Sequence, residues 1–173
     1  MPQKSIFSYH HLRSALSIYS YQLHEKWKEE IVTTLSSILI GHCEKEIGYI
    51  CEIIIPSVQI LSQSIIEEGM TRFLFKFQVK ALLPFSGCRL EATIDMVTSY
   101  GLFLVYHQYL RIMIPLHLLE PQYTFRKLFS SNVFFHSAGK QCFQVHDKIN
   151  IEIVECRFEE DHFYCIANYV ESS

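Results

Sequence analysis
The sequence predicts two folds in tandem, an α+β unit over residues 1–83 and an all-β, five-stranded barrel over residues 84–173. Three observations predict this. A long alternating run over residues 71–83 puts Phe73, Phe75, Phe77, Val79 and Ala81 on one face and Lys76, Gln78 and Lys80 on the other. That is the period of a half-buried strand. The run enters Pro84-Phe85-Ser86-Gly87-Cys88, a turn-forming stretch. Beyond it the apolar runs are short and turn residues frequent, as in a small barrel. A strand that leaves the first fold and feeds the second would join them into a rod.

The elements follow in order. Residues 5–22 are rich in Ile, Tyr, Leu and Ser and read as extended. A helix is expected from about residue 23 to 40. Trp27, Ile31, Leu35 and Ile38 recur at helical spacing, with Glu25, Lys26, Lys28, Glu29 and Glu30 on the opposite face. Gly41 is its stop signal. Residues 44–48 read as a polar turn, residues 49–55 as a strand ended by Pro56, and residues 58–66 as a further extended run. Glu67-Glu68-Gly69 is a turn before the long strand. The first unit is therefore strand, helix, then three strands in a small antiparallel arrangement.

In the second unit, residues 89–98 alternate through Leu90, Ala92, Ile94 and Met96, and Tyr100-Gly101 marks a turn or bulge. Residues 102–106 and 109–114 form a hairpin around His107-Gln108, closed by Pro115. Residues 116–120 suit one helical turn, and residues 121–140 a longer irregular connection. Residues 148–158 and 162–170 make a last hairpin across Glu159-Glu160-Asp161. Five strands with a long link between the third and fourth fit a Greek-key OB barrel. Such a barrel binds single strands on its second and third strands, stacking bases on aromatics beside a cation. Phe103, Tyr106, Tyr109 and Arg111 are the candidates there. Alternation separates Phe103 and Val105 from Leu102, Leu104 and Tyr106, so only some of these aromatics can face RNA.

Composition narrows the function classes. With 173 residues, 49% hydrophobic and 14% aromatic, the chain can bury a substantial core. Charges interrupt every apolar run before 18 residues, so no membrane span and no membrane partner are expected. The first residues lack the apolar run of a signal peptide, and six scattered cysteines then favour reduced thiols in a cytosolic or nuclear protein. Residues 1–83 carry 8 Lys+Arg and 8 Asp+Glu, whereas residues 84–173 carry 7 and 10. The net charge of −3 thus lies wholly in the barrel half, and a tight nucleic-acid binder usually shows a basic excess.

Metal and catalytic readings find little support. His42-Cys43, Cys51, Cys142-x3-His146 and His162-x2-Cys165 are the zinc candidates. No Cys-x2-Cys pair stands beside them, so buried thiols and ordinary imidazoles are expected, with no metal and no cofactor. There is no Gly-x-Ser-x-Gly, phosphate loop or His-Glu-x-x-His. The carboxylates of Glu67-Glu68 and Glu159-Glu160-Asp161 sit in turns rather than in an apolar frame that would shift a pKa. The chain is not expected to be an enzyme.

Read together, the two halves resemble the stalk subunit of multisubunit RNA polymerases, the family of the seventh subunit of RNA polymerase II and its archaeal counterpart. Three stretches carry the resemblance. Gly41-His42-Cys43 followed by Gly48-Tyr49-Ile50 is similar to a Gly-x-Cys…Gly-Tyr-Ile stretch after the family's first helix. Phe77-Gln78-Val79-Lys80-Ala81 with Pro84-Phe85-Ser86-Gly87 resembles its strand into a Pro-Phe-x-Gly junction, with Cys88 where members often carry a charge. Ser99-Tyr100-Gly101-Leu102-Phe103, ending at Ile114-Pro115, resembles its Gly-x-Phe hairpin.

The resemblance implies a truncated RNP-like tip domain that docks on the polymerase core subunits, and an OB domain that faces nascent single-stranded RNA. It also implies a small helical stalk partner subunit clasped along the junction. The loop bearing Glu44, Lys45, Gly48 and Tyr49 becomes the docking tip by this resemblance alone. RNA binding by the isolated chain is expected to be weak. The location implied is the nucleus, or the cytoplasm or virion if a large DNA virus encodes the chain. The alternative is a free-standing OB-fold RNA-binding factor in translation or RNA decay, soluble and monomeric without a partner. A metal or thiol protein is a third and weaker reading.

Overall fold
A computed structural model describes residues 5–19, 26–66, 70–128, 131–139 and 142–171. Residues 7–83 form one compact unit, and residues 84 onward form a second that also takes in Ser5 and Ile6.

The first unit is an antiparallel sheet of four strands, β1 (Phe7–Tyr19), β2 (Cys43–Glu44), β3 (Gly48–Ile65) and β4 (Met70–Leu82), in the order β1-β4-β3-β2. Strand β4 pairs along its whole length with β1 and, with offsets, along most of β3. Phe73, Phe75, Phe77, Val79 and Ala81 are all buried, the alternation expected of this run. Helix α1 (Trp27–Leu39) packs on that face through Ile31, Val32 and Leu35, with Trp27 stacked 6.4 Å from Phe75. Ile38, expected in the helix's apolar stripe, is exposed, and Val32 and Leu39 face the core instead. Residues 23–25 of the expected helix, and the expected turn at 67–69, lie outside the described residues.

Two expected strands prove to be one. Pro56 does not end the strand at 49–55, because β3 runs on to Ile65. Its register against β4 slips between Ile54 and Gln59, so Pro56 falls where the ladder asks for no N–H. Ser57 fills the gap, accepting the Gln78 N–H at 2.7 Å through its hydroxyl. The first unit therefore has two long strands and a two-residue β2 after the helix, not three comparable strands.

The second unit contains a closed five-stranded barrel consistent with an OB fold. Its strands are β5 (Arg89–Thr98), β6 (Gly101–Tyr106), β7 (Leu110–Pro115), β11 (Lys148–Glu159) and β12 (His162–Tyr169). They close in the order β11-β12-β7-β6-β5, with β11 returning to β5. The β12–β7 contact is parallel and the others antiparallel. His107 and Gln108, and likewise Glu160 and Asp161, take left-handed backbone angles in the two tight turns. Ile94, Leu102, Leu104, Ile112, Ile114, Ile151 and Ile153 are among the residues that fill the interior.

Residues 121–140 are not the irregular connection expected. After the turn α2 (Leu116–Leu119), strands β8 (Tyr123–Lys127), β9 (Asn132–His136) and β10 (Cys142–Phe143) form a separate sheet in the order β10-β9-β8. Buried Tyr123 stacks on Phe143 at 4.5 Å and meets Tyr169 of β12 edge-on at 5.9 Å. Asn132 donates from Nδ2 to the Val97 carbonyl at 3.1 Å. Short strands of five and two residues carry too little alternation to be read from sequence.

Gly48 and Gly87 share a left-handed backbone, φ +89° and +84°, but not their surroundings. A β-carbon at Gly48 would overlap the Leu82 carbonyl, whereas at Gly87 it would meet nothing within 4 Å. Gly48→Ala should therefore cost at least about 2 kcal/mol more than Gly87→Ala, because backbone strain is common to both and overlap is not. Urea midpoints of the two variants measure the difference, and equal midpoints would refute the overlap argument.

Candidate nucleic-acid interface
On the outer face of the barrel, β6, β7, β12 and β11 line a groove of about 460 Å³. Alternation along each strand sets its walls. Leu102 and Leu104 point inward, so Phe103 and Val105 point outward. Ile112 and Ile114 point inward, so Arg111 and Met113 point outward. Phe163, Cys165 and Ala167 point inward, so Tyr164 and Ile166 point outward.

Register then assembles these side chains. Val105 lies opposite Arg111, Arg111 opposite Tyr164, and Tyr164 opposite Arg157. Two residues further along each strand, Phe103 lies opposite Met113, Met113 opposite Ile166, and Ile166 opposite Glu155. The groove thus has an apolar floor, two aromatic rings, Phe103 and Tyr164, at 38% and 52% exposure, and two arginines.

Charge in the groove is balanced. Arg157 Nε donates to Glu155 Oε1 at 2.7 Å, and that hydrogen bond raises the guanidinium pKa further above its ordinary value. Asp95 stands on the β5 side. Arg111 is exposed and has no ion-pair partner among the described residues. The groove can stack flat apolar groups beside the Arg111 guanidinium, unpaired among the described residues, but it offers little attraction for a run of phosphates.

The four residues expected to face RNA separate into two pairs. Phe103 and Arg111 sit in the groove. Tyr106 lines a different cavity at the barrel's end with Ile6, Phe85, Cys88 and Leu90, and Tyr109 lies in the hairpin turn with its ring 6.2 Å from that of His107. Tyr164 and Arg157 were missed by sequence reasoning. Alternation in the last hairpin could have turned Tyr164 outward, but only the parallel β12–β7 pairing places it beside Arg111.

The loop expected to dock divides in a similar way. Glu44 and Lys45 are exposed, while Gly48 is enclosed against β4 and Tyr49 is only 3% exposed. Glu44 pairs with Gly48, and Cys43 with Tyr49, in a tight hairpin. In the same unit, β3 beyond Ile50 has no strand on its second side among the described residues, and Ile55, Ile60, Leu61 and Ile65 along it are exposed. No group of three His, Cys, Asp or Glu side chains arranged to hold a metal occurs among the described residues.

No protein-family model matches the chain. Its sequence is similar to that of DNA-directed RNA polymerase II subunit RPB7 from Glycine max, 23% identical over 153 residues, covering 84% of this chain and 85% of that protein. Neither compact unit alone is long enough for such an alignment, so the similarity reaches into both.

The hairpin geometry separates a structural residue from a surface one. Tyr49→Ala should lower stability by about 3 kcal/mol, the order of a large buried aromatic. Lys45→Glu should change it by less than about 0.5 kcal/mol, as an exposed substitution does. Thermal or urea unfolding of both variants checks this, and a Lys45→Glu variant as damaged as Tyr49→Ala would contradict it.

Proposed function
We propose that the chain is a noncatalytic stalk subunit of a DNA-directed RNA polymerase. The observation that carries this reading is the similarity to subunit RPB7 over more than four-fifths of both chains, together with a closed barrel of OB order. In this reading residues 1–83 are the truncated RNP-like tip that docks on the polymerase core. Residues 84–173 are the OB domain that contacts nascent RNA.

Each part has a physical counterpart. The edge of β3, open among the described residues, offers a protein partner both backbone without a neighbouring strand there and apolar surface from its exposed isoleucines. A small helical stalk partner and the core subunits are the partners proposed. Exposed Glu44 and Lys45 form the contact proposed for the core, with Gly48 and Tyr49 shaping the hairpin that presents them. Phe103 and Tyr164 supply two stacking surfaces for RNA bases, and Arg111 supplies a phosphate or base contact. Tyr106 and Tyr109 lie away from this groove, so the RNA contact is proposed without them. A nuclear location is part of the same proposal.

Purification of the tagged chain from its own source, with mass spectrometry of what accompanies it, tests the reading. Recovery of two large polymerase subunits and one small helical protein is expected. Recovery of RNA with ribosomal or decay factors, and no polymerase, would overturn it in favour of a free-standing RNA-binding factor.

The groove makes a second prediction for single-stranded RNA in low salt. Phe103→Ala and Tyr164→Ala should each weaken binding by about 1–3 kcal/mol, the value of one stacked base. Tyr109→Ala should leave it unchanged. Fluorescence anisotropy with a short labelled oligonucleotide measures this, and a loss confined to Tyr109→Ala would place the contact on the hairpin tip instead.

A further inference from the structure
Beneath the groove, the β11–β12 ladder holds two thiols. Cys156 lies directly opposite Cys165, and their sulfurs are 3.2 Å apart with no disulfide between them. A register slip between Ile153 and Glu155 makes this possible. Ile151 and Ile153 point inward, Val154 and Glu155 are both exposed, and Cys156 returns to the inward side. Cys165 is 3% exposed and Cys156 half-buried, so solvent reaches the second and not the first. Phe158 and Phe163, with ring centres 5.0 Å apart, cover the next rung.

The two sulfurs are chemically unequal. Cys165 donates its S–H to the Cys156 sulfur, which favours a thiolate there and lowers the Cys156 pKa. The same hydrogen bond, together with burial, holds the Cys165 thiol well above its ordinary value. The accessible sulfur is thus the nucleophile, and the buried one stands behind it as the second thiol.

We propose that Cys156 and Cys165 are a modification site, forming a reversible disulfide that clamps β11 to β12 under the groove. Hydrogen peroxide is the oxidant class. The Cys156 thiolate attacks one peroxide oxygen and the O–O bond breaks. The hydroxide released takes up the proton that Cys156 gave and leaves as water. The Cys165 sulfur then attacks the sulfur of the Cys156 sulfenic acid. The S–O bond breaks, the S–S bond forms, and the departing hydroxide takes the Cys165 proton as a second water. Two thiols lose two electrons in total, and one peroxide gains them.

Strand geometry argues that the bond is reversible. Facing residues on paired strands hold their β-carbons about 4.5–5.5 Å apart, against roughly 3.5–4.5 Å in a disulfide. Closing that gap strains the ladder, and strained disulfides are the readily reduced ones. The clamp would also act on the groove. Cys156 stands between Glu155 and Arg157, and Cys165 between Tyr164 and Ile166, four residues of its wall.

Peptide mapping of the full chain tests the proposal. Trypsin cuts after Lys148 and Arg157, so the peptide 149–157 carries only Cys156 and the peptide 158–173 only Cys165. After hydrogen peroxide, alkylation and digestion, these two should appear joined, and dithiothreitol should separate them. Alkylatable thiols should fall from the six of the sequence to four. The Cys156→Ser variant should keep all its remaining thiols under the same treatment. Recovery of Cys156 unjoined, as thiol or sulfinic acid, would overturn the proposal. So would a link from Cys156 to buried Cys88, or loss of two thiols from Cys156→Ser.

Discussion
The parallel contact between β12 and β7 is the constraint on which the barrel depends. Antiparallel neighbours can be joined by a two-residue turn, and parallel ones cannot. The chain must therefore leave the end of β7, reach the free side of β5, lay down β11 there, and return as β12. Residues 116–147 are that crossing. They are not idle chain. Tyr123 and Phe143 pack on Tyr169 of β12, and Asn132 is tied to Val97 near the end of β5. The small sheet thus braces β5 and β12, the first and last strands of the barrel in sequence. The groove is a product of the same contact, because Arg111 and Tyr164 become neighbours only when β12 lies along β7.

What could be read in the sequence was whatever depends on local period and turn chemistry. The alternation of β4 and of β5 as far as Ile94, beyond which a bulge leaves Met96 exposed and buries Val97 instead, the helical spacing of Trp27, Ile31 and Leu35, and the polar turns at His107-Gln108 and Glu160-Asp161 are local properties. They appear where alternation and turn residues place them. Pro56 misled because its missing N–H is a strand-ending signal on average, while here a slip in register removes the need for that donor. The strands β8, β9 and β10 were hidden because five or two residues do not establish a period, and their support is ring packing across strands, Tyr123 stacked on Phe143 and Phe125 edge-on to Phe134. Half of the groove was hidden for a related reason. Phe103 and Arg111 share one hairpin, but Arg157, Tyr164 and Ile166 arrive from residues far along the chain, through register that no local pattern encodes. The Cys156–Cys165 pair depends on the bulge after Ile153 in the same way.

The balance of charge in the groove decides what kind of RNA contact it can make on the proposed reading. Affinity that comes from phosphate neutralisation grows with the number of free cations. Among the described residues Glu155 occupies Arg157 and Asp95 stands nearby, which leaves Arg111. Stacking must then supply most of the attraction, at about 1–3 kcal/mol per base. Two stacked bases give about 2–6 kcal/mol, and a millimolar Kd corresponds to about 4 kcal/mol. A free factor with so weak a site would be mostly empty at ordinary RNA concentrations. A subunit held beside an emerging transcript meets it at an effective concentration of about the millimolar order, as a short tether provides. The site would then be occupied much of the time and would still release each base as the next arrives. Rings that stack without reading base edges tolerate any sequence passing over them. A tighter, more basic groove would hold the transcript and oppose its movement, so weak affinity is the property that suits a contact with moving RNA.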